Sequence, residues 1–452
     1  MIGLLGVFLA AAASDPRVER VERLAGEARR TTVWAPLAVT LSSAAGFEGD
    51  LVARSSFGFF TARRVRVAPG GRERVLLPAV DPVEIRAGAI GAAPPEASAR
   101  PDLVVGVDVR LPFARELTSG ERVRFVRFDP SDPFARELLR RGLLEAWDLL
   151  LLADAADLPL GAGPEAYVPS SREDAERRIQ ARAALPPPAR FEAVDRELWN
   201  VLAPREGWVP AKRTFALFFA GAYAVAAFAA LPFMAWARPR WMLPSAVALA
   251  GLFAIVYLVF FPKGQLWVLE HRCEVAPAGE GEAAEWRVWF AGAPVARRTR
   301  VEFPRWVKPV LPHPGAVDRP FTIRFSDAGS SAVEDLELAG GVPVAFAGAE
   351  SRPPSFRAVE RLPRPLYGAS ILRGNRNRRL GDLPAGTEVN ALAVRDDEPA
   401  PGEADFRAFR RFIRGDALFG RLDREDAGAG EVSSADLAEA RRRPRFFIQR
   451  LP

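Results

Sequence analysis

The stretch Thr214–Trp236, TFALFFAGAYAVAAFAALPFMAW, is followed after a short break by Trp241–Phe261, WMLPSAVALAGLFAIVYLVFF, and this pair decides how the rest of the chain is read. Neither segment contains an ionisable acid or base. At about 1.5 Å of rise per residue, each is long enough as a helix to cross about 30 Å of hydrocarbon. Trp236, Trp241 and Tyr257 lie near the segment ends, where amphipathic rings favour an interface. Burial inside a folded domain would need a partner layer apolar enough to cover both helices all round, and nothing else in the chain is that apolar. The sequence therefore predicts two transmembrane helices joined by the tight loop Ala237-Arg238-Pro239-Arg240.

Within these helices small residues recur at every fourth position: Ala222, Ala226 and Ala230 in the first, Ala246, Ala250 and Ala254 in the second. Such stripes let two helices approach closely, so the hairpin is expected to pack on itself or on a partner's helix. Alanine-rich filler would carry the same pattern. Apart from Tyr223 and Ser245 the spans hold no polar side chain, which argues against a transport path.

So short a loop puts both flanking regions on one side. Arg238 and Arg240 favour a cytoplasmic loop, whereas Lys212, Arg213 and Lys263 pull the other way. The N-terminus decides between them. Met1–Ala13 is an apolar run ending in small residues and matches a signal peptide, although no Lys or Arg precedes it. The expected topology has both large regions outside the cytoplasm.

Upstream of the hairpin, VWAPLAVTLSS, DLVARSSFGFF and RVRVAPGGRERVLLPAV alternate apolar and polar residues and are broken at Gly46, Gly49 and Pro69-Gly70-Gly71. An antiparallel β-sandwich over residues 15–95 would accommodate them. Asp15–Arg30 fits either a helix, from Val18, Val21 and Leu24, or a first strand. The pattern then changes over residues 100–185. Leu103–Val109, Val123–Phe128 and Trp147–Asp154 are near-continuous apolar runs, the signature of strands covered on both faces. Phe134, Leu138, Leu139 and Leu143 share a helical face between the second and third runs. Ser170-Ser171 followed by Glu173-Asp174 opens another helix with a capping-box pattern. This is a small βαβ layer with a parallel sheet of three strands. Residues 186–213 form a linker.

Downstream, residues 265–395 read as a second sandwich-like domain, with strands such as LWVLEHRCEV, EWRVWFAG and FTIRFSD between Gly, Pro and Asp turns. In the extension over 403–452, Phe406, Phe409 and Phe412 alternate with Arg407, Arg410, Arg411 and Arg414 on an expected helix. That face suits an anionic membrane surface or an acidic partner; a Phe stripe packed on the sandwich beneath solvated Arg stems explains it as well. Ser434–Arg443 reads as a second terminal helix. The fold class expected is thus a multidomain membrane protein: an N-terminal β-sandwich with a small α/β layer, a two-helix transmembrane hairpin, and a C-terminal mainly-β domain with terminal helices.

The Trp34-Ala35-Pro36-Leu37 opening of the sandwich, the strand WDLLLLAD and the hairpin together resemble a group of bacterial envelope proteins. Those proteins carry a β-sandwich, a degenerate class I glutamine-amidotransferase-like domain, a membrane hairpin and a C-terminal β-domain. The resemblance covers about half the chain and implies residence in a bacterial cytoplasmic (inner) membrane. Amidotransferase chemistry does not follow from it. That chemistry needs a thiolate on a strand-to-helix elbow and a histidine to activate it, and the only cysteine is Cys273 and the histidines are His271 and His313.

Composition narrows the function classes further. The net charge of +6 arises from 62 basic and 56 acidic residues interspersed along the chain, and no aromatic-plus-basic module appears, so nucleic acid is not the expected partner. A single cysteine cannot form an intramolecular disulfide or a thiolate metal site, and no cofactor is expected. His271 and Cys273 fall on the same face of one strand but make a poor nucleophile–base pair. The remaining metal candidates are Asp129, Asp132, Asp154 and Asp157, which sit where strands of the α/β layer end; turn and cap roles explain them equally well. The expectation is a non-catalytic scaffold or interaction subunit. The alternatives are an anchored hydrolase or transferase using those carboxylates, or an accessory subunit of a transport or secretion complex.

Overall fold

The computed structural model describes residues 16–24, 34–94, 103–120, 122–143, 147–154, 165–184, 199, 202, 212–260, 266–276, 283–293, 297–310, 320–338, 343–356, 361–373, 376–388, 417–423, 431–434, 437–442 and 445–450. The expected signal peptide, the Phe/Arg helix and Asp157 lie outside the described residues.

Seven strands open the chain: β1 (Arg17–Arg23), β2 (Leu37–Ser43), β3 (Phe47–Ser55), β4 (Phe60–Val67), β5 (Gly71–Leu77), β6 (Pro82–Ala87) and β7 (Ile90–Ala92). Leu37, Val39 and Leu41 alternate along β2 and are fully buried, as a strand with one face on a core requires. In the sheet β1-β2-β5 they pack with Val75 and Leu77 against Leu51 and Ala53 of β3, Val65 of β4 and Ile85 of β6. The segment that allowed helix or strand is a strand, because β1 runs antiparallel to β2 from Arg17↔Ser42 to Arg23↔Leu37.

Next comes the parallel sheet: β8 (Leu103–Asp108), β9 (Val123–Phe128), helix α1 (Pro133–Arg140), β10 (Leu149–Leu151), β11 (Glu165–Tyr167) and helix α2 (Arg172–Ala184). The strands are ordered β11-β10-β8-β9 and all adjacent pairs are parallel. This sheet has four strands where the apolar runs alone mark three. Gly106 is needed in β8, since a Cβ there would stand 2.3 Å from the Trp147 ring.

After a helical pair, α3 (Lys212–Ala237) and α4 (Met242–Phe260), twelve more strands complete the chain. They are β12 (Leu266–Ala276), β13 (Ala283–Gly292), β14 (Arg297–Phe303), β15 (Lys308–Val310), β16 (Thr322–Phe325), β17 (Ser331–Leu338), β18 (Val344–Arg352), β19 (Leu366–Arg373), β20 (Arg376–Leu383), β21 (Ala417–Arg421), β22 (Leu437–Arg442) and β23 (Phe446–Arg450). The stretch read as a second terminal helix is therefore β22, drawn into extended backbone by parallel pairing with β12, Glu439 opposite Trp267. A nine-stranded sheet runs β15-β18-β13-β12-β23-β21-β19-β20, with β22 also on β12.

The halves before and after the helical pair share one sheet. In the seven-stranded order β14-β17-β16-β4-β3-β6-β7, β16 lies parallel to β4, from Thr322↔Phe60 to Phe325↔Arg63. One apolar cluster spans the same seam, with Trp34, Phe59, Trp147, Trp289, Phe321 and Phe325 among its members. Arg141, at the end of α1, reinforces it: its guanidinium lies 4.0 Å from the Trp306 ring and donates to the Gly329 carbonyl at 3.3 Å.

The helical pair corrects the largest expectation. α3 and α4 form on the apolar runs, turn through Pro239–Trp241, and meet at Tyr223 and Phe253, whose ring centroids are 5.0 Å apart. Among the described residues, however, no helix is long and apolar enough to cross a membrane, which says nothing of a barrel of strands. With the spanning pair fall the membrane-protein fold class, the anchoring role, the inner-membrane location and the orientation argued from the loop. The architecture is mainly β, with one small parallel α/β sheet and an exposed helical hairpin. Phe228, Leu243 and Trp236 of that hairpin are 82%, 74% and 84% exposed.

Candidate functional site

The order β11-β10-β8-β9 places a topological switch between β8 and β10, where a crevice at the carboxyl ends of the strands is the customary ligand site. The carboxylates there are committed to local structure. Asp108, at the end of β8, is fully buried. It accepts from the Arg110 amide at 2.9 Å, the Arg110 guanidinium at 2.7–3.1 Å and the Ala153 amide at 3.0 Å. Burial pushes the Asp108 carboxyl up, but the Arg110 and Ala153 donors outweigh it and hold the group below the usual range. The same crevice therefore closes β8 to β10 through a saturated side chain.

Of the carboxylates singled out from sequence, Asp129 is exposed and its Oδ1 accepts from the Ser131 hydroxyl and amide at 2.7 and 2.8 Å, contacts that lower its pKa. Asp132 caps α1, its Oδ1 accepting from the Phe134 amide at 2.8 Å. Asp154 is exposed just past β10. Among the described residues no three Asp, Glu, His or Cys side chains come together in a way that could hold a metal ion. Asp108, which sequence reasoning passed over, ends the apolar run of β8, and a lone acid closing a buried strand was the available signal.

A cleft of about 310 Å³ opens beside this layer. Val126 and Phe128 of β9, Phe134, Ala135 and Leu138 of α1, and Trp147 form its apolar lining. Phe128 and Trp147 touch, with ring centroids 5.3 Å apart. Leu24, just past β1, and Arg74 of β5 close the far side. Arg74 lies 4.7 Å from the Phe134 ring centroid and donates to Glu22 at 3.0 Å and to Asp132 at 3.4 Å. The volume lies at the lower end for a ligand pocket.

Both long walls are sheet edges, since β1 ends one sheet and β9 ends another. The Leu103 amide bonds the Arg122 carbonyl and the Val109 amide the Phe128 carbonyl, each at 3.0 Å. In a parallel ladder this turns the backbone of Arg122, Arg124, Val126 and Phe128 toward β8, and that of Val123, Phe125 and Arg127 outward. The Val123 carbonyl is taken by the Gly120 amide at 2.9 Å, and the Phe125 amide by the Ser119 hydroxyl at 2.9 Å. The Phe125 carbonyl and both backbone groups of Arg127 face away from β8, with no backbone partner among the described residues.

A larger groove of about 420 Å³ lies over β14, β16 and β17, with Arg64, Arg300 and Arg324 along it. Those cations are already neutralised: Arg324 by Asp50 at 2.7 Å and Glu334 at 3.3 Å, Arg300 by Glu302 at 3.0 Å, Arg64 by Glu48 at 2.9 Å.

The other interaction residues read from sequence are not brought into a site. Ala222 and Ala250 are exposed, Ala226 and Ala246 half-buried, and the side chains of Ala230 and Ala254 lie outside those described. Phe406, Arg407, Phe409, Arg410, Arg411, Phe412 and Arg414 lie outside the described residues altogether. His271 and Cys273 are buried on one face of β12, where the imidazole meets Phe290 edge-on at 5.8 Å. In comparison with known proteins, no family model matches the chain and no curated protein is similar to it.

Proposed function

We propose that this chain is a non-catalytic interaction protein that takes an extended segment of a protein partner along the edge of β9, with an apolar side chain of that segment in the adjoining cleft. The observation that carries this reading is the junction of an aromatic-lined cleft with an edge strand whose Phe125 carbonyl and Arg127 backbone groups point outward without a partner among the described residues. An added strand gains affinity from main-chain hydrogen bonds, and a pocket for one side chain supplies specificity. Hydrolase chemistry through the neighbouring carboxylates gains no support, because Asp108, Asp129 and Asp132 accept hydrogen bonds that build β8, the following turn and the α1 cap.

Panning a displayed random-peptide library against the full chain tests the proposal. Selected peptides should be extended, share one apolar position, and lose binding to Ala135→Trp, which fills the cleft from α1. Should that variant not fold, Ala135→Leu reduces the same space with less strain, and Asp129→Arg changes the exposed rim. Peptides that bind all folded cleft variants as tightly as the parent chain, or no selected peptide at all, would overturn it.

A further inference from the structure

The edge of β9 offers a short and specific footprint. The turn before the strand closes its first half, with the Gly120 amide on the Val123 carbonyl and the Phe125 amide on the Ser119 hydroxyl, each at 2.9 Å. In the second half the Phe125 carbonyl and the amide and carbonyl of Arg127 keep no partner among the described residues. Asp129 then leaves the strand, its carbonyl accepting from the Asp132 amide at 3.0 Å. An added strand that meets these groups is held to one register, since a slip of one residue turns every side chain to the other face. Side chains alternate along a strand and align with those of the strand beside it. Whichever way the segment runs, its residues opposite Val126 and Phe128 face the cleft, and the one between them faces away.

The two cleft-facing positions meet different chemistry. Opposite Val126 the lining is apolar, with Ala135 and Leu138 of α1. At the Phe128 end the cleft is bordered by Asp129, an exposed residue. Its Oδ1 accepts both Ser131 donors, and its Oδ2 has no partner among the described residues. Those Ser131 contacts hold the carboxyl below its usual range, so it is ionised at neutral pH. The cations of β5 and β9 that border the cleft are spent elsewhere. Arg74 donates to Glu22 and Asp132, and the Arg127 guanidinium to the carbonyls of Ala114, Arg115 and Leu117 at 3.2, 3.3 and 3.1 Å. A long basic side chain opposite Phe128 can lay its apolar stem along that ring and bring its charge to Asp129.

Resting on the reading of β9 as a docking edge, we infer that the segment it takes is basic: an apolar residue opposite Val126 and, two positions away, a lysine or arginine opposite Phe128 that pairs with Asp129. The basic residue follows the apolar one in a parallel addition and precedes it in an antiparallel one, so their order reports the direction of the added strand.

Fluorescence anisotropy with labelled synthetic copies of the peptides panned on the full chain tests this. Each peptide should carry Lys or Arg two positions from its shared apolar residue. Replacing that base by Gln should weaken binding to the parent chain about 3-fold, and by Glu about 10-fold, at low salt. Asp129→Asn, which keeps an acceptor oxygen for Ser131, should weaken the basic peptide about 3-fold and leave the Gln peptide unchanged. Asp129→Lys should bind the Glu peptide more tightly than the basic one; should that variant not fold, Asp129→Asn decides alone. Peptides that lose binding to Ala135→Trp yet are indifferent both to the base and to Asp129 would overturn this inference and leave the docking edge standing. The absence of any cleft-dependent peptide would overturn both.

Discussion

The helical hairpin and the nine-stranded sheet invert each other. In the hairpin, side chains with nothing to hide from one another stand in the open: Phe228 is 82% exposed and Trp236 84%. In the sheet, Glu270, Glu274 and Glu285 are wholly buried among Arg287, Arg305 and Arg352. Burial in this chain follows available partners more closely than it follows polarity. An ion leaves water only where several opposite charges and hydrogen bonds receive it, and β12 and β13 meet those partners in Arg352 of β18, Arg442 of β22, Arg445 just before β23 and Arg305 before β15. Between its two helices the hairpin has the ring contact of Tyr223 on Phe253, and within α3 Phe233 meets Trp236 at 6.4 Å; no further layer covers it among the described residues.

The strongest way to test that contrast is to remove the hub of the buried charges. Glu285→Gln keeps the shape but leaves Arg287, Arg305 and Arg352 without the carboxylate they share. Breaking a buried network from one side costs about 3–5 kcal/mol. Denaturant unfolding followed by tryptophan fluorescence should show a loss of that size, because Trp286 and Trp289 flank the site on β13. A loss below about 1 kcal/mol, the range of exposed pairs, would mean that the network behaves like a surface one.

Acid should act through the same carboxyl, somewhat less strongly. Burial pushes Glu285 up, yet Arg287, Arg305 and Arg352 outweigh it and hold the group at about 2, against an ordinary 4.5. A depressed folded-state pKa stabilises fully above the unfolded value and progressively less as pH falls toward the folded one. The contribution is therefore intact above about pH 4.5 and lost toward pH 2, and a shift of this size corresponds to about 3 kcal/mol. Glu431, also held low beside Arg287, adds in the same direction. Melting temperatures from pH 6 to pH 2.5 should fall more steeply for the parent chain than for Glu285→Gln. Parallel curves would assign the acid sensitivity to other groups.

These differences explain what could be read in advance. The strands β2, β8, β9 and β10 follow from alternation or unbroken apolar runs, since local pattern and tertiary burial agree there. β22 did not follow: helical spacing over Ser434–Arg443 yields to the free edge of β12, which recruits whatever backbone reaches it. The burial of the charged face of β12 was not legible, because the arginines that cover it come from as far along the chain as Arg442 and Arg445. The cleft was hidden for the same reason, since Leu24, Arg74, Phe128 and Trp147 converge only through topology. Asp129 and Asp132 were legible as residues at strand and helix ends, but their roles depend on Ser131 and on the α1 amides they face.

The smallest effect should come from the hairpin. Phe228→Ser replaces a large aromatic side chain, a change that in a packed core costs about 3–5 kcal/mol. At 82% exposure little of that ring leaves water on folding, so the substitution should shift unfolding by no more than about 0.5 kcal/mol. Tyr223→Ala should cost more, because it removes the ring that packs on Phe253 at 5.0 Å, a contact worth about 0.5–1.5 kcal/mol beyond the area it buries. If Phe228→Ser proved as costly as Tyr223→Ala, the ring would have to be covered in the folded state. The hairpin would then obey the same rule as the sheet, with a partner surface taking the part that the arginines take for Glu285.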